Sequence, residues 1–323
     1  MLAALPRSLA ALTVLVAVLT AGAAHAQPLS QLKLLVPANP GGGWDQTGRA
    51  MERVLRDEKL VSGAVRVTNR GGAGGTIGLA EFAKSKGDGT SIMVMGLVMV
   101  GAIQTNKSPV SLEAVTPLAR LTNEYLVIAV PAASKIQSLK DFTEALKKDP
   151  GATSIAGGSR GGSDHILAAL IAETVGVPAA KVNYVAFAGG GEAVASLLGA
   201  QVAAGISGYG EFQAHIESKK LRAIAISAPA RVAGIDVPTL KEQGVSLEFG
   251  NWRGVVAPEG ISAGDRKALL DTIDRMAKSN AWKGELKKHN WDDAYLAGDA
   301  YASFIKAEND RISKVLKDVG LVK

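Results

Sequence analysis

Leu32-Lys33-Leu34-Leu35-Val36-Pro37-Ala38-Asn39-Pro40-Gly41-Gly42-Gly43-Trp44-Asp45 contains the fold in small. Its apolar run reads as a short buried strand, two prolines end it, and three consecutive glycines make a loop. Beyond the loop, Ala50, Met51, Val54 and Leu55 recur at helical spacing and mark one face of a helix. The unit is strand, glycine loop, helix, and it recurs. Residues 65–68 lead through Gly71-Gly72-Ala73-Gly74-Gly75 into a helix carrying Ile77, Ala80 and Ala83, which Gly87 closes. Residues 91–95 follow as a buried strand.

Working outward, residues 126–130 and 221–226 are also strand-like, and a second series lies between them. It comprises strands at 153–156, 182–187 and 202–206, with helices from about 165 to 175 and around 192–198. Residues 254–257 form another strand, and the amphipathic helices at 263–278 and 301–319 need a sheet to cover, which returns the chain to its first lobe. Alternating strands and helices predict an α/β architecture with mostly parallel sheets. The length of 323 residues suits two lobes. We expect hinge strands near 126–130 and 221–226.

The composition is that of an ordinary globular chain, which argues against disorder, collagen and coiled coil. Cysteine is absent, and with it disulfides, thiolate zinc sites, cysteine nucleophiles and a lipid anchor on cysteine. Residues 1–26 read as a secretory signal: Arg7 supplies the charge, an apolar run begins at Ala10, and Ala24-His25-Ala26 fits small-x-small cleavage. The run is shorter than the ~20 residues of a spanning helix. Cleavage after Ala26 removes Arg7 and lowers the net charge from +6 to +5. The basic residues are spread with no run of four, so nucleic acid is not an expected partner; a mild positive field favours anionic solutes.

Four glycine-rich loops follow strands, at 41–45, 71–75, 157–164 and 189–191. Glycine lets backbone N–H groups approach a ligand, and a following helix N-terminus adds free donors and partial positive charge, a design for anions; the plainer role is a tight strand-to-helix turn. Asp45 stands at a helix start, where its first role is capping. Trp44 either packs under its loop or covers an apolar part of a ligand. Arg160, in Gly157-Gly158-Ser159-Arg160-Gly161-Gly162-Ser163-Asp164-His165, is the leading candidate for carboxylate contact, because its fork matches a carboxylate bidentately. Ser159 and Ser163 offer hydroxyls, and His165 is either a donor or a buried helix residue.

Enzyme motifs are weak. Gly157-Gly158-Ser159-Arg160-Gly161 matches G-x-S-x-G, the basis of an alternative in which Ser159 is an exported hydrolase nucleophile with His215 or His289 as base. Gly72-Ala73-Gly74 puts its last glycine at Gly78, one place late for a dinucleotide fingerprint, and no Gly-Lys-Ser/Thr phosphate loop exists. The mature histidines lack paired spacing, so neither a metal nor a cofactor is called for.

Pro40-Gly41-Gly42-Gly43-Trp44-Asp45-Gln46-Thr47-Gly48-Arg49, the 71–75 loop with Thr76-Ile77-Gly78, Gly208-Tyr209-Gly210-Glu211-Phe212 and Asn251-Trp252-Arg253-Gly254-Val255-Val256-Ala257-Pro258 together resemble the Bug family. These are periplasmic solute-binding proteins of tripartite tricarboxylate transporters, and the likeness spans the mature chain. It implies a two-lobed, periplasmic-binding-protein-like fold of type II, each lobe a mostly parallel sheet flanked by helices, with two hinge crossings. Residues 27–127 and 224–323 would form the first lobe and 128–223 the second. The implied function is capture of a citrate-like di- or tricarboxylate, without chemistry, by a monomer that delivers it to membrane subunits; a sensor domain would share the binding step. The implied ligand residues are Gly42, Gly43, Trp44, Asp45, Thr76, Gly158, Ser159, Arg160, Gly162, Ser163, His165 and Tyr209. Gly71 departs from the family, which usually carries proline there. Mass analysis of the exported protein should find Gln27 at its N-terminus; Met1 retained in a membrane fraction would refute the cleaved signal.

Overall fold

The computed structural model describes residues 29–188 and 190–323. The expected signal segment with its cleavage site, and Gly189, lie outside the described residues. Strand β1 (Leu32–Val36) runs into helix α1 (Gly43–Asp57), β2 (Val65–Asn69) precedes α2 (Thr76–Phe82), and β3 (Ser91–Gly96) leads into α3 (Leu97–Thr105). One long strand, β4 (Val115–Pro131), is followed by α4 (Leu139–Lys148), β5 (Ile155–Gly157), α5 (Ser163–Thr174), β6 (Tyr184–Ala186) and α6 (Gly190–Leu198). Then come β7 (Ala204–Gly208), α7 (Tyr209–Glu217), β8 (Leu221–Ile226) and β9 (Gly250–Pro258). Helices α8 (Ala263–Lys278) and α9 (Asn280–His289), strand β10 (Asp292–Ala297) and helix α10 (Gly298–Asp318) complete the chain. Among the described residues no helix is long and apolar enough to cross a membrane.

Sequence periodicity accounts for much of this. In β1, Leu32, Leu34 and Val36 face inward while Lys33 faces out, and the apolar face of α1 carries Ala50, Met51, Val54 and Leu55 into the core. All of β3 is buried, as its unbroken apolar run requires of a strand covered on both faces. Helix α10 packs across β4 and α3, with Tyr301 fully buried and its hydroxyl 2.9 Å from Met95 Sδ.

Two lobes share β4. Its residues 115–125 pair with β9 and, on the other edge, residues 119–123 pair with β10; from Leu126 onward it pairs with β7 and β8. The first lobe is therefore ordered β2-β1-β3-β9-β4-β10 and the second β8-β4-β7-β5-β6. Parallel pairing, expected to dominate, is confined to β1 with β2 and β3, and to β5 with β6 and β7. The sheets are mixed because β4 and β9 run antiparallel to every neighbour. β4 carries the chain out to the second lobe and β9 begins where it returns, so neither is joined to its neighbours by the helical crossover that makes strands parallel.

The expected return at residue 224 is corrected by the pairing. Strand β8 lies wholly against the second half of β4, and the segment after it stays there: Ile226 N–H donates to Pro238 O and Leu240 N–H to Ile226 O, both at 3.0 Å. The chain rejoins the first lobe at Gly250, opposite Tyr125. Ser227 ties the two crossings, accepting from Leu126 N–H at 2.9 Å and donating to Phe249 O at 2.6 Å.

The lobes touch across the cleft. Thr105 Oγ1 on α3 lies 3.2 Å from Arg160 O, and Asn39 Nδ2 donates to Glu192 Oε1 at 2.6 Å. A Cβ at Gly101 would stand 2.0 Å from Gly161 O, so the second lobe's loop reaches α3 only because that residue has no side chain. Gly101→Ala should improve the helix by up to about 1 kcal/mol while holding the lobes apart. We expect an unchanged or slightly higher melting temperature together with a larger radius of gyration by X-ray scattering. An unchanged radius would mean that this contact does not limit closure.

Candidate functional site

Three helix N-termini without a capping side chain meet between the lobes. Helices α1, α5 and α7 begin at the cleft with glycine N-caps, Gly42, Gly162 and Gly208, none assisted by a capping side chain. Their first-turn N–H groups and dipoles face the cleft, where Gly43 N–H of α1 already meets the Glu211 carboxyl. The cavity they surround has about 510 Å³ of empty volume. The first lobe contributes Gly42, Gly43, Trp44, Gly74 and Gly75 to its wall, and the second contributes Gly158, Ser159, Ser163, Asp164 and Glu211.

Glycine at 75 answers a specific need. Its φ is +88°, and a Cβ there would lie 2.7 Å from the Trp44 ring. Trp44 is 7% exposed and packs beneath the 71–75 loop, between Gly75 and Gly96, with one edge on the cavity. Packing is thus its main role. Gly71, the departure from the family pattern, is also explained by contact: a Cβ would sit 2.2 Å from Asn39 Oδ1.

The cavity floor holds a buried ion pair. Arg253, on β9, bonds through Nη2 to Glu124 Oε1 on β4, and both are almost fully buried. Asn251 Nδ2 donates to Glu124 Oε1 at 3.3 Å and Trp291 Nε1 to Glu124 Oε2 at 3.2 Å. Arg253 Nη1 lies 3.4 Å from Thr47 Oγ1, and the guanidinium stands 5.3 Å from the Trp291 ring centroid. Burial pulls Arg253 down to about 9, still charged at neutral pH. Among these, Arg253 and Asn251 reach the cavity.

The second lobe supplies acids. Asp164 Oδ2 accepts from Gly158 N–H at 2.7 Å and Oδ1 from Ser163 Oγ at 2.9 Å; burial pushes its carboxyl up to about 6. Glu211 Oε2 accepts from Ser207 Oγ at 2.9 Å. Burial, then the nearby Asp164, pushes Glu211 up to about 8. Neither has a salt-bridge partner among the described residues. His165 stays neutral, since burial and then Arg160 lower it to about 4; its Nδ1 accepts from Gly161 N–H at 3.0 Å and its ring stacks on Tyr184 at 4.2 Å.

Of the residues expected to bind, Gly42, Gly43, Trp44, Gly158, Ser159 and Ser163 line the cavity. The others stand elsewhere. Arg160 is exposed and meets the first lobe through its carbonyl, not its guanidinium. Asp45 closes its own loop, accepting from Gly41 N–H at 3.0 Å and Asn69 Nδ2 at 2.8 Å. Thr76 Oγ1 donates to Ala73 O, and Gly162 caps α5. His165 and Tyr209 are buried beside the cavity rather than on its wall. Sequence reasoning missed Glu211, Asp164, Asn251 and Arg253 as cavity-lining residues, though a charge placed in the middle of a strand, as at Glu124 and Arg253, is a signal that sequence offers.

Ser159 has no histidine partner among the described residues, so the hydrolase alternative lacks its base. No group of three His, Asp or Glu gathers as a metal site among them either.

Residues 51–321 match the family model of the tripartite tricarboxylate transporter family receptor, TctC. This chain belongs to the TctC family. BugT of Bordetella pertussis is similar at 30% identity over 304 residues, covering 92% of this chain and 91% of that protein. Among solved structures, the periplasmic binding protein BugD aligns with a TM-score of 0.84 at 23% identity, over 92% of this chain and all of that one. MatC from Rhodopseudomonas palustris, with bound malate, aligns at 0.77 and 21% identity, over 90% of this chain and all of that one. TctC membership makes this chain a solute-binding receptor, and the two-lobed fold agrees.

Glu211 carries a sign test. Its folded value lies above the ordinary carboxyl value, so the native state holds a proton that the unfolded chain has lost, and stability falls as pH rises from about 4.5 to about 8. Glu211→Gln does not titrate there. Its melting temperature should exceed that of the wild type by a margin that vanishes below about pH 4.5, grows up to about pH 8 and levels off above it. A margin independent of pH would show that the carboxyl ionises normally.

Proposed function

We propose that this TctC receptor captures a small dicarboxylate in the periplasm, as a monomer, and delivers it to the membrane subunits of a tripartite transporter. The observation that carries the reading is the meeting of three glycine-capped helix N-termini, drawn from both lobes, around one half-open cavity. Backbone donors from α1, with Gly74 and Gly75 beside them, receive one carboxylate on the first lobe. Ser159, Ser163 and the amides of α5 and α7 hold the far end, so only a solute that spans the cleft favours the closed form. Micromolar affinity is about −8 kcal/mol, and several charge-assisted hydrogen bonds at roughly 1.5 to 3 kcal/mol each reach it after the costs of ordering.

The citrate-like guess gives way here to a dicarboxylate. Arg253 is the one cation on the wall, Glu124 already neutralises it, and two further carboxyls face inward. A trianion has nothing left to balance it. The bound malate of MatC, whose fold is shared, fits a dicarboxylate reading.

Calorimetry with acetate, succinate, malate and citrate should give 1:1 binding strongest for a four-carbon dicarboxylate, with the solute recovered unchanged. Because Arg160 is exposed and absent from the cavity wall, Arg160→Ala should alter the affinity less than about threefold, where a lost charged hydrogen bond costs ten- to a hundredfold. Failure of every carboxylate to bind, or turnover abolished by Ser159→Ala, would overturn the proposal.

A further inference from the structure

Two carboxyls on the second lobe, Asp164 buried and Glu211 half-buried, face the space where an anion is to sit. Asp164 and Glu211 both line the cavity, and their hydrogen bonds come from neutral groups: Gly158 N–H and Ser163 Oγ for the first, Ser207 Oγ for the second. A side chain at Gly190 would meet Glu211 Oε2, and one at Gly43 would meet the Arg253 guanidinium first and Glu211 Oε1 next, so this carboxyl sits between the starts of α1 and α6, beside the guanidinium that Glu124 already binds. The single cation on the wall, Arg253, is taken by Glu124. Closing the lobes around a carboxylate therefore adds its charge to these two acids, and among the described residues the one cation at hand is the Arg253 that Glu124 already binds.

We propose that carboxylate capture by this receptor is coupled to uptake of a proton, held on the Asp164–Glu211 pair, and that this pair sets the charge state of the ligand the cavity accepts. The inference rests on the carboxylate reading above and adds what must accompany the anion. An anion entering a water-poor cavity raises the proton affinity of every acid facing it. Protonation also turns an acceptor into a donor, so a neutral Glu211 or Asp164 can hydrogen-bond the solute it would repel when ionised. Burial already moves both carboxyls in the required direction, Asp164 to about 6 and Glu211 to about 8, so the free pair holds one proton near pH 7 and gives it up as pH rises past about 8, the range in which an entering ligand must bring it back.

The other charged groups around Glu211 are committed elsewhere. On β4, Glu124 is bound by Arg253 of β9. On α6, Glu192 accepts from Asn39 Nδ2 and from Ala188 N–H. Asp45 of α1 is held by Gly41 N–H and Asn69 Nδ2. Arg222 of β8 turns away to the carbonyls of Ala132 and Ile136. Of the charged residues on α7 itself, His215 and Glu217 lie in its last turn, away from the cavity wall. That leaves Asp164 of α5 as the group that titrates together with Glu211, so the proton belongs to the pair.

The test uses the intact receptor with succinate and malate as probes. Calorimetry in phosphate and in Tris, whose ionisation heats differ, gives the number of protons taken up. The expected result is proton uptake that is small at pH 7 and climbs toward one by about pH 9, with affinity falling more steeply over that range and nearing about tenfold per pH unit at its upper end. Glu211→Gln and Asp164→Asn should each flatten that slope, and the double variant should bind with no pH dependence; circular dichroism confirms that each is folded. Should the variants unfold, the wild-type proton count decides alone. Dicarboxylate binding with no proton uptake would overturn this inference and leave the proposed function standing. Affinity that rises with pH would also overturn it, and would point to a ligand carrying its own ammonium group. If neither probe binds, the dicarboxylate reading falls and the inference with it.

Discussion

Everything in the cleft is referred to one buried ion pair. Glu124 sits two residues before β4 passes from one lobe to the other, and Arg253 sits on β9, the strand by which the chain returns. Two charges taken out of water are tolerable only when the remaining hydrogen-bonding capacity is filled. Asn251, Trp291 and Thr47 help to fill it. Removing either partner would strand the other and cost about 3 to 5 kcal/mol. Gly208 lets the start of α7 approach Glu124, since a Cβ there would stand 2.4 Å from its oxygens. The pair thereby fixes the floor of the cavity and the distance at which the second lobe hangs over it.

Above that floor the two lobes differ in character. The first lobe presents backbone N–H groups from a helix start and a glycine turn, while the second presents hydroxyls and carboxyls as well as helix amides. The chain's overall positive charge therefore says little about the cavity, where acids outnumber bases. A field spread over the surface steers anions toward the protein; local burial and pairing decide what stays.

The sequence was most legible where period and composition agreed. Strand β1, the buried β3, α1 and α8 follow directly from alternation, a continuous apolar run or a helical face. Only 126–130 of β4 was recognised, because Thr122, Asn123 and Glu124 interrupt its apolar pattern. Arg253 and Asn251 hid the first part of β9, and Asp292-Asp293 hid β10 at a sheet edge. The same polar residues that obscured β4 and β9 build the cavity floor, so the error in reading strands and the error in reading the site have one cause. Arg160 misled for the opposite reason. It stands in a glycine loop of the right kind, but which way a loop side chain points depends on the helix it meets across the cleft, and sequence spacing does not carry that information.

Because β9 lies between β3 and β4, the first lobe's sheet stays divided until residue 250 and those after it are available. The strands and helices of the second lobe are complete before that point in chain order. A chain emerging from its N-terminus thus completes its inserted lobe before the lobe that surrounds it. In the interval β3 and the first half of β4 expose unpaired apolar edges, the condition under which chains associate wrongly. The step that buries those edges also brings Arg253 to Glu124. For this topology, therefore, the moment at which the fold stops being vulnerable to aggregation is also the moment at which its solute cavity first exists.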